Sequence, residues 1–108
     1  MRTLAYLSPA RGHLFPTIPV LAALRDRGHE THVRTLAGEV ERVRALGISA
    51  DAIAPPIEAI EQSDHTGSGQ RARLRLSLDT LARRAEHEVA DLGEALERHR
   101  PEVLLVDV

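Results

Sequence analysis

Three observations predict an α/β fold whose parallel sheet runs in the order 3-2-1-4 with helices on its faces. Apolar runs of strand length alternate with stretches of helical periodicity along the 108 residues. Gly28 and Gly47 stand where helices would stop. Residues 102–106 (EVLLV) are nearly all apolar, the pattern of a strand buried on both faces, as parallel strands are. Strand, helix, strand, helix and strand within the first half of the chain imply right-handed crossovers.

Taken in order, residues 3–7 (TLAYL) read as the first strand and residues 8–16 (SPARGHLFP) as the turn that leaves it. Ile18, Leu21, Ala22 and Leu24 begin a helical stripe that closes at Gly28. Residues 31–35 (THVRT) read as a second strand. In residues 38–46, Val40, Val43 and Leu46 share one face of a short helix, and residues 48–54 (ISADAIA) alternate as a third strand. Residues 55–70 carry Pro55-Pro56 and Gly67-Ser68-Gly69 with no sustained periodicity, so a loop is expected there, at the carboxyl edge of the sheet. Leu74, Leu78, Leu81, Ala85, Val89, Leu92 and Leu96 then recur at steps of three and four. That stripe predicts a long amphipathic helix packing its leucines on the sheet. Arg73, Arg83, Arg84, Glu88, Asp91 and Arg98 would form its solvated face. Pro101 ends the helix, and the last strand delivers Asp107. A buried strand with no helix after it reads as the first part of a longer fold, with exposed apolar surface prone to self-association or to a partner chain.

Composition narrows the classes of function. A formal net charge of −2 gives no electrostatic reason for nucleic acid or an anionic membrane as partner. With 2% aromatic residues there are no stacking platforms for single strands. Cysteine is absent, which removes thiol chemistry and cysteine metal sites. No apolar run is long enough to span a membrane, residues 1–7 do not resemble a signal peptide, and a cytoplasmic protein is expected.

In the order 3-2-1-4, strands one and four are neighbours and the winding reverses between them. Ligands bind at such a switch point, beyond the carboxyl ends of the strands. His13 follows strand one and Asp107 follows strand four, so the two are expected to converge on one crevice. A carboxylate on one imidazole nitrogen fixes the tautomer and leaves the other nitrogen to accept a proton. No Ser or Cys sits in a nucleophile-elbow setting, so the attacking hydroxyl would belong to a substrate. The alternative is that both residues merely cap helices.

Gly12-His13-Leu14-Phe15-Pro16, followed by Pro19-Val20-Leu21-Ala22-Ala23-Leu24 and Arg27-Gly28-His29-Glu30-Thr31-His32-Val33, resembles the amino-terminal signature of GT-B glycosyltransferases. The likeness is to the nucleotide-sugar-dependent enzymes that decorate macrolides and other natural products. Thr31 stands where valine is usual. Residues 101–107 (PEVLLVD) are similar to the family's P-D-x-x-x-x-D strand, with Glu102 for the first aspartate. The resemblance implies that residues 1–108 are an incomplete amino-terminal, Rossmann-like domain that holds a small-molecule acceptor. A second, donor-binding domain outside these residues would hold the nucleotide sugar. By position, His13 would be the catalytic base and Asp107 its support, in an inverting transfer that needs no metal or other cofactor. Arg11, Gly12 and Phe15 become candidate substrate contacts, and the 55–70 loop a candidate for acceptor selectivity. These residues alone are expected to be inactive.

Other readings fit less well. A single glycine in the first turn is not G-x-G-x-x-G, and with all fourteen basic residues arginine there is no Walker lysine. His29-Glu30-Thr31-His32 lacks the H-E-x-x-H spacing and lies on a turn entering a strand, so no metal site is expected. A non-catalytic acceptor-binding or auxiliary module with the same half-fold is the remaining alternative.

Overall fold

The structure, a computed structural model, describes residues 1–60 and 69–107. Its elements are β1 (Arg2–Tyr6), α1 (Arg11–Asp26), β2 (Glu30–Thr35), a 3-10 turn (Ala37–Glu39), α2 (Val40–Ala45), β3 (Ser49–Ala52), α3 (Pro55–Ala59), α4 (Gln70–His99) and β4 (Val103–Val106). The four strands form one parallel sheet in the order β3-β2-β1-β4, as the sequence predicts. In register, Leu4 lies between His32 on β2 and Leu104 on β4.

The two faces of this sheet are chemically different. Ala5, Leu7, Val33 and Ala50 point to one side, where Leu14 and Leu21 of α1 and Val40 and Val43 of α2 complete a dry core with Ile48. Leu14, Ile18 and Leu21 recur at four and three residues, so one stripe of α1 meets the sheet. Gly28 and Gly47 follow these two helices with φ of +87° and +80°, the left-handed conformation that stops a helix.

The other face carries Tyr6, His32, Arg34 and Asp51 and is covered by α4. Here the expected orientation of α4 is corrected. Leu74, Leu78, Leu81 and Val89 are exposed, Val89 to 73%, whereas Thr80, Asp91 and Ala95 are buried. The physical reason is Arg34, only 2% exposed. A buried guanidinium is costly unless paired, and α4 supplies its carboxylates from the face expected to be solvated. Arg34 Nη1 donates to Asp91 Oδ1 at 3.0 Å and lies 2.6 Å from Glu94 Oε2. Its Nη2 donates to Asp51 Oδ2 at 3.0 Å. The Tyr6 hydroxyl donates to Asp91 Oδ2 at 2.8 Å. This network turns the acidic side of α4 inward and its leucine stripe outward.

Two further differences concern boundaries. The stretch expected as a turn over 8–16 is helical from Arg11, and Pro16 and Pro19 lie inside α1. Each proline removes one i→i−4 backbone bond, to Gly12 O and to Phe15 O, and between them Thr17 Oγ1 donates to His13 O at 2.9 Å. In place of an uninterrupted loop from 55, Pro55 and Pro56 open α3, where a missing N–H and a preset φ suit the first helical positions. Ile57, 1% exposed, anchors that turn. Of the 55–70 loop expected to set acceptor selectivity, residues 61–68 lie outside the described residues.

Candidate active site

β1 and β4 are hydrogen-bonded neighbours, so the turn after one and the residue after the other meet at the carboxyl edge of the sheet. Asp107 follows β4 and bridges to the β1–α1 turn. Its Oδ1 accepts the Ser8 backbone N–H at 2.8 Å, and its Oδ2 contacts His13 Nδ1. His13 sits in the first turn of α1, its backbone N–H bonded to Ala10 O at 3.1 Å. The imidazole is thus fixed from two sides: its backbone by the start of α1, its Nδ1 by a carboxylate that follows β4 and is held by the Ser8 N–H. His13 is 41% exposed at the side chain and Asp107 23%. Among the described residues no partner stands on His13 Nε2. The Asp107 contact orients the ring through Nδ1 and leaves Nε2 for another group.

The other candidates are placed as follows. Gly12 adjoins His13, and a Cβ built there would meet nothing within 4 Å, so the space beside the backbone is open. Arg11 points to the α2 side, where its Nε donates to Glu39 Oε1 at 2.7 Å. Glu39 is buried, and the hydrogen bond from Arg11 holds its carboxyl below the usual range. The Arg11 side chain stays 67% exposed. Phe15 is also exposed, on the helix turn that follows His13.

A second titratable grouping lies at the amino-terminal end of the sheet. His32 donates or accepts through both ring nitrogens, Nδ1 to Ser49 Oγ at 2.7 Å and Nε2 to Asp51 Oδ1 at 2.8 Å. His99, the last residue of α4, stacks on His32 with ring centroids 3.7 Å apart. Burial pushes the His32 imidazole below its ordinary value, and Asp51 only partly opposes it. Burial would raise Asp51, but hydrogen bonds from Arg34 and His32 outweigh it and hold the carboxyl at about 2. Burial and the Asp91 hydrogen bond raise the Tyr6 phenol, which stays protonated. Sequence reasoning missed this grouping. Its signal was available: His32, Arg34 and Asp51 are polar at alternate or paired strand positions on one face of the sheet.

Among the described residues, no helix is long and apolar enough to cross a membrane. No protein-family model matches the chain. It is 52% identical over 48 residues to the elloramycin glycosyltransferase ElmGT of Streptomyces olivaceus, covering 44% of this chain and 12% of that protein. It is 38% identical over 61 residues to L-demethylnoviosyl transferase of Streptomyces niveus, covering 56% of this chain and 16% of the relative. The chain therefore spans less than a fifth of either relative in these matches. In fold it is similar to the spinosyn rhamnosyltransferase SpnG solved with thymidine diphosphate, with a TM-score of 0.71 at 23% identity over 99% of this chain and 29% of that one. In sequence and in fold, the chain resembles part of a GT-B glycosyltransferase of natural-product biosynthesis.

Proposed function

We propose that this chain supplies the acceptor side of an inverting glycosyltransferase acting on a natural-product hydroxyl, with His13 as general base and Asp107 as its support. The observation that carries this reading is the Asp107 carboxylate on His13 Nδ1 at the switch point of the sheet. The acceptor O–H, within about 3 Å of Nε2, gives its proton to the imidazole. The oxygen attacks the anomeric carbon of a nucleotide sugar as the bond to the nucleoside diphosphate breaks on the opposite face, so the configuration inverts. Asp107 stabilises the imidazolium that forms. The open space at Gly12 leaves the first backbone N–H groups of α1 approachable by the departing diphosphate. Arg11 keeps N–H donors free of its Glu39 contact for the same anion, and Phe15 offers an exposed ring to the aglycone.

Names of similar proteins support the chemical class. ElmGT and L-demethylnoviosyl transferase are named for sugar transfer, and SpnG was solved both with thymidine diphosphate and with spinosyn aglycone. On this reading a second domain holds the donor, and residues 1–108 do not turn over alone. The test is transfer by the full-length protein from a thymidine-diphosphate sugar to the hydroxyl of a natural-product aglycone. His13→Ala should lower kcat about 10²- to 10⁴-fold while leaving acceptor affinity nearly unchanged. Full activity in that variant would overturn the base assignment, and a retained anomeric configuration would overturn the single displacement.

A further inference from the structure

The grouping at the amino-terminal end of the sheet has the donor set of a metal site. His32 comes from β2, Asp51 from β3 and His99 from the end of α4, and their candidate ligand atoms all lie within 4.8 Å of one another. Nε2 of His32 is 2.8 Å from Asp51 Oδ1, and Nε2 of His99 is 3.6 Å from Asp51 Oδ2. Tetrahedral zinc with bonds of about 2.0–2.1 Å sets neighbouring donors about 3.3 Å apart, so small side-chain movements would close this geometry. His99 Nε2 is enclosed and makes no hydrogen bond among the described residues, a buried polar atom without a full partner. Ser49 Oγ on His32 Nδ1, at 2.7 Å, is the outer hydrogen bond that metal-binding histidines use to fix the ring.

The surrounding charge tolerates a cation. Arg34 donates to both Asp51 oxygens, at 3.1 and 3.0 Å, and Arg98 lies 3.7 Å away, but Arg34 is also paired with Asp91 and Glu94, and Arg98 with Glu94. Three carboxylates thus face two guanidiniums. A cavity of about 380 Å³, lined by His32, Ser49, His99, Thr31 and Pro101, opens beside the three residues and offers a path for an ion and room for a fourth ligand. Two imidazoles and one carboxylate favour zinc-class ions over magnesium or calcium, which prefer oxygen.

We propose that His32, Asp51 and His99 bind one zinc-class divalent cation, with the fourth position toward the cavity, and that the ion pins the end of α4 to β2 and β3. The site is at the end of the sheet opposite His13, so its role is structural and does not depend on the reading of His13. The sequence pointed away from metal because His29 and His32 lack helical spacing; His32 instead meets ligands from two other elements.

The test is calorimetric titration of full-length, chelator-stripped protein with zinc chloride, together with thermal melting with and without zinc. One zinc per chain and a rise in Tm are expected. His99→Gln and His32→Gln should each weaken binding at least about tenfold and remove most of the Tm rise, while His87→Gln, elsewhere on α4, should change neither. Binding that is equal in all three variants, or no binding in the unaltered protein, would overturn the proposal. Should the variants fail to fold, Co²⁺ in the unaltered protein decides: a tetrahedral visible spectrum displaced by zinc supports the site, and its absence overturns it.

Discussion

Two carboxylate–imidazole groupings occupy opposite ends of one sheet, and they differ in what surrounds the second ring nitrogen. At the carboxyl edge, Asp107 holds Nδ1 of His13, and no described residue takes Nε2. At the amino edge, Ser49 and Asp51 take both nitrogens of His32, while His99 lies across its ring. The first arrangement leaves one ring nitrogen without a described partner on a side chain that is 41% exposed, beside the ends of neighbouring strands. The second closes the imidazole into a network that also holds Arg34, Asp91 and Tyr6. The same pair of chemical groups is therefore left open in one place and closed into a network in the other, and access to the second nitrogen is what separates them; on the proposed reading the open pair transfers protons.

The largest expected way to break this contrast is to remove the cation at the centre of the closed grouping. Arg34→Met leaves Asp51 and Asp91 buried without their partner, and urea unfolding should show a loss of about 3–5 kcal/mol. A loss below about 1 kcal/mol would mean that the network contributes little to cohesion.

Acid sharpens the contrast at an intermediate scale. Asp51 is held at about 2, against 3.8 ordinarily. A depressed carboxyl contributes stability that is present above pH 3.8 and is lost as pH falls through about 2. Allowing for the solvent that reaches this side chain, the contribution is about 1–2 kcal/mol. His32 acts in the same direction at higher pH: its lowered value means that the unfolded chain binds the proton more readily. Stability should therefore fall as pH drops below 6.5, the ordinary histidine value. Thermal melting from pH 8 to about 2 in metal-free buffer checks both, and Asp51→Asn should flatten the lower limb.

The smallest expected effect is at Tyr6. Tyr6→Phe removes only the hydroxyl bonded to Asp91 and should cost about 1 kcal/mol, measured by the same unfolding experiment.

The legibility of the sequence follows the same division. Strand order, the dry core and the stops at Gly28 and Gly47 could be read because apolar periodicity and backbone conformation decide them. The meeting of His13 and Asp107 could be read because one opens the helix after a recognisable strand and the other directly follows the neighbouring strand. The orientation of α4 could not, because hydrophobic periodicity ranks Leu78 above Asp91 as a core residue. The deciding quantity was the need of Arg34 on β2 for carboxylates, an interaction between elements far apart in sequence. His32, Asp51 and His99 were missed for the same reason: three elements bring them together, and no local spacing announces it. The early start of α1 was hidden by Pro16 and Pro19, which ordinarily mark a helix boundary.

The central claim is that His13 and Asp107 act as one proton-accepting unit. A double-mutant cycle on kcat for sugar transfer by the full-length protein tests it most directly, using His13→Ala, Asp107→Asn and the double variant. If Asp107 acts only through the imidazole, the double variant will be no slower than His13→Ala alone. Losses that multiply in the double variant would show two independent contributions and contradict the account.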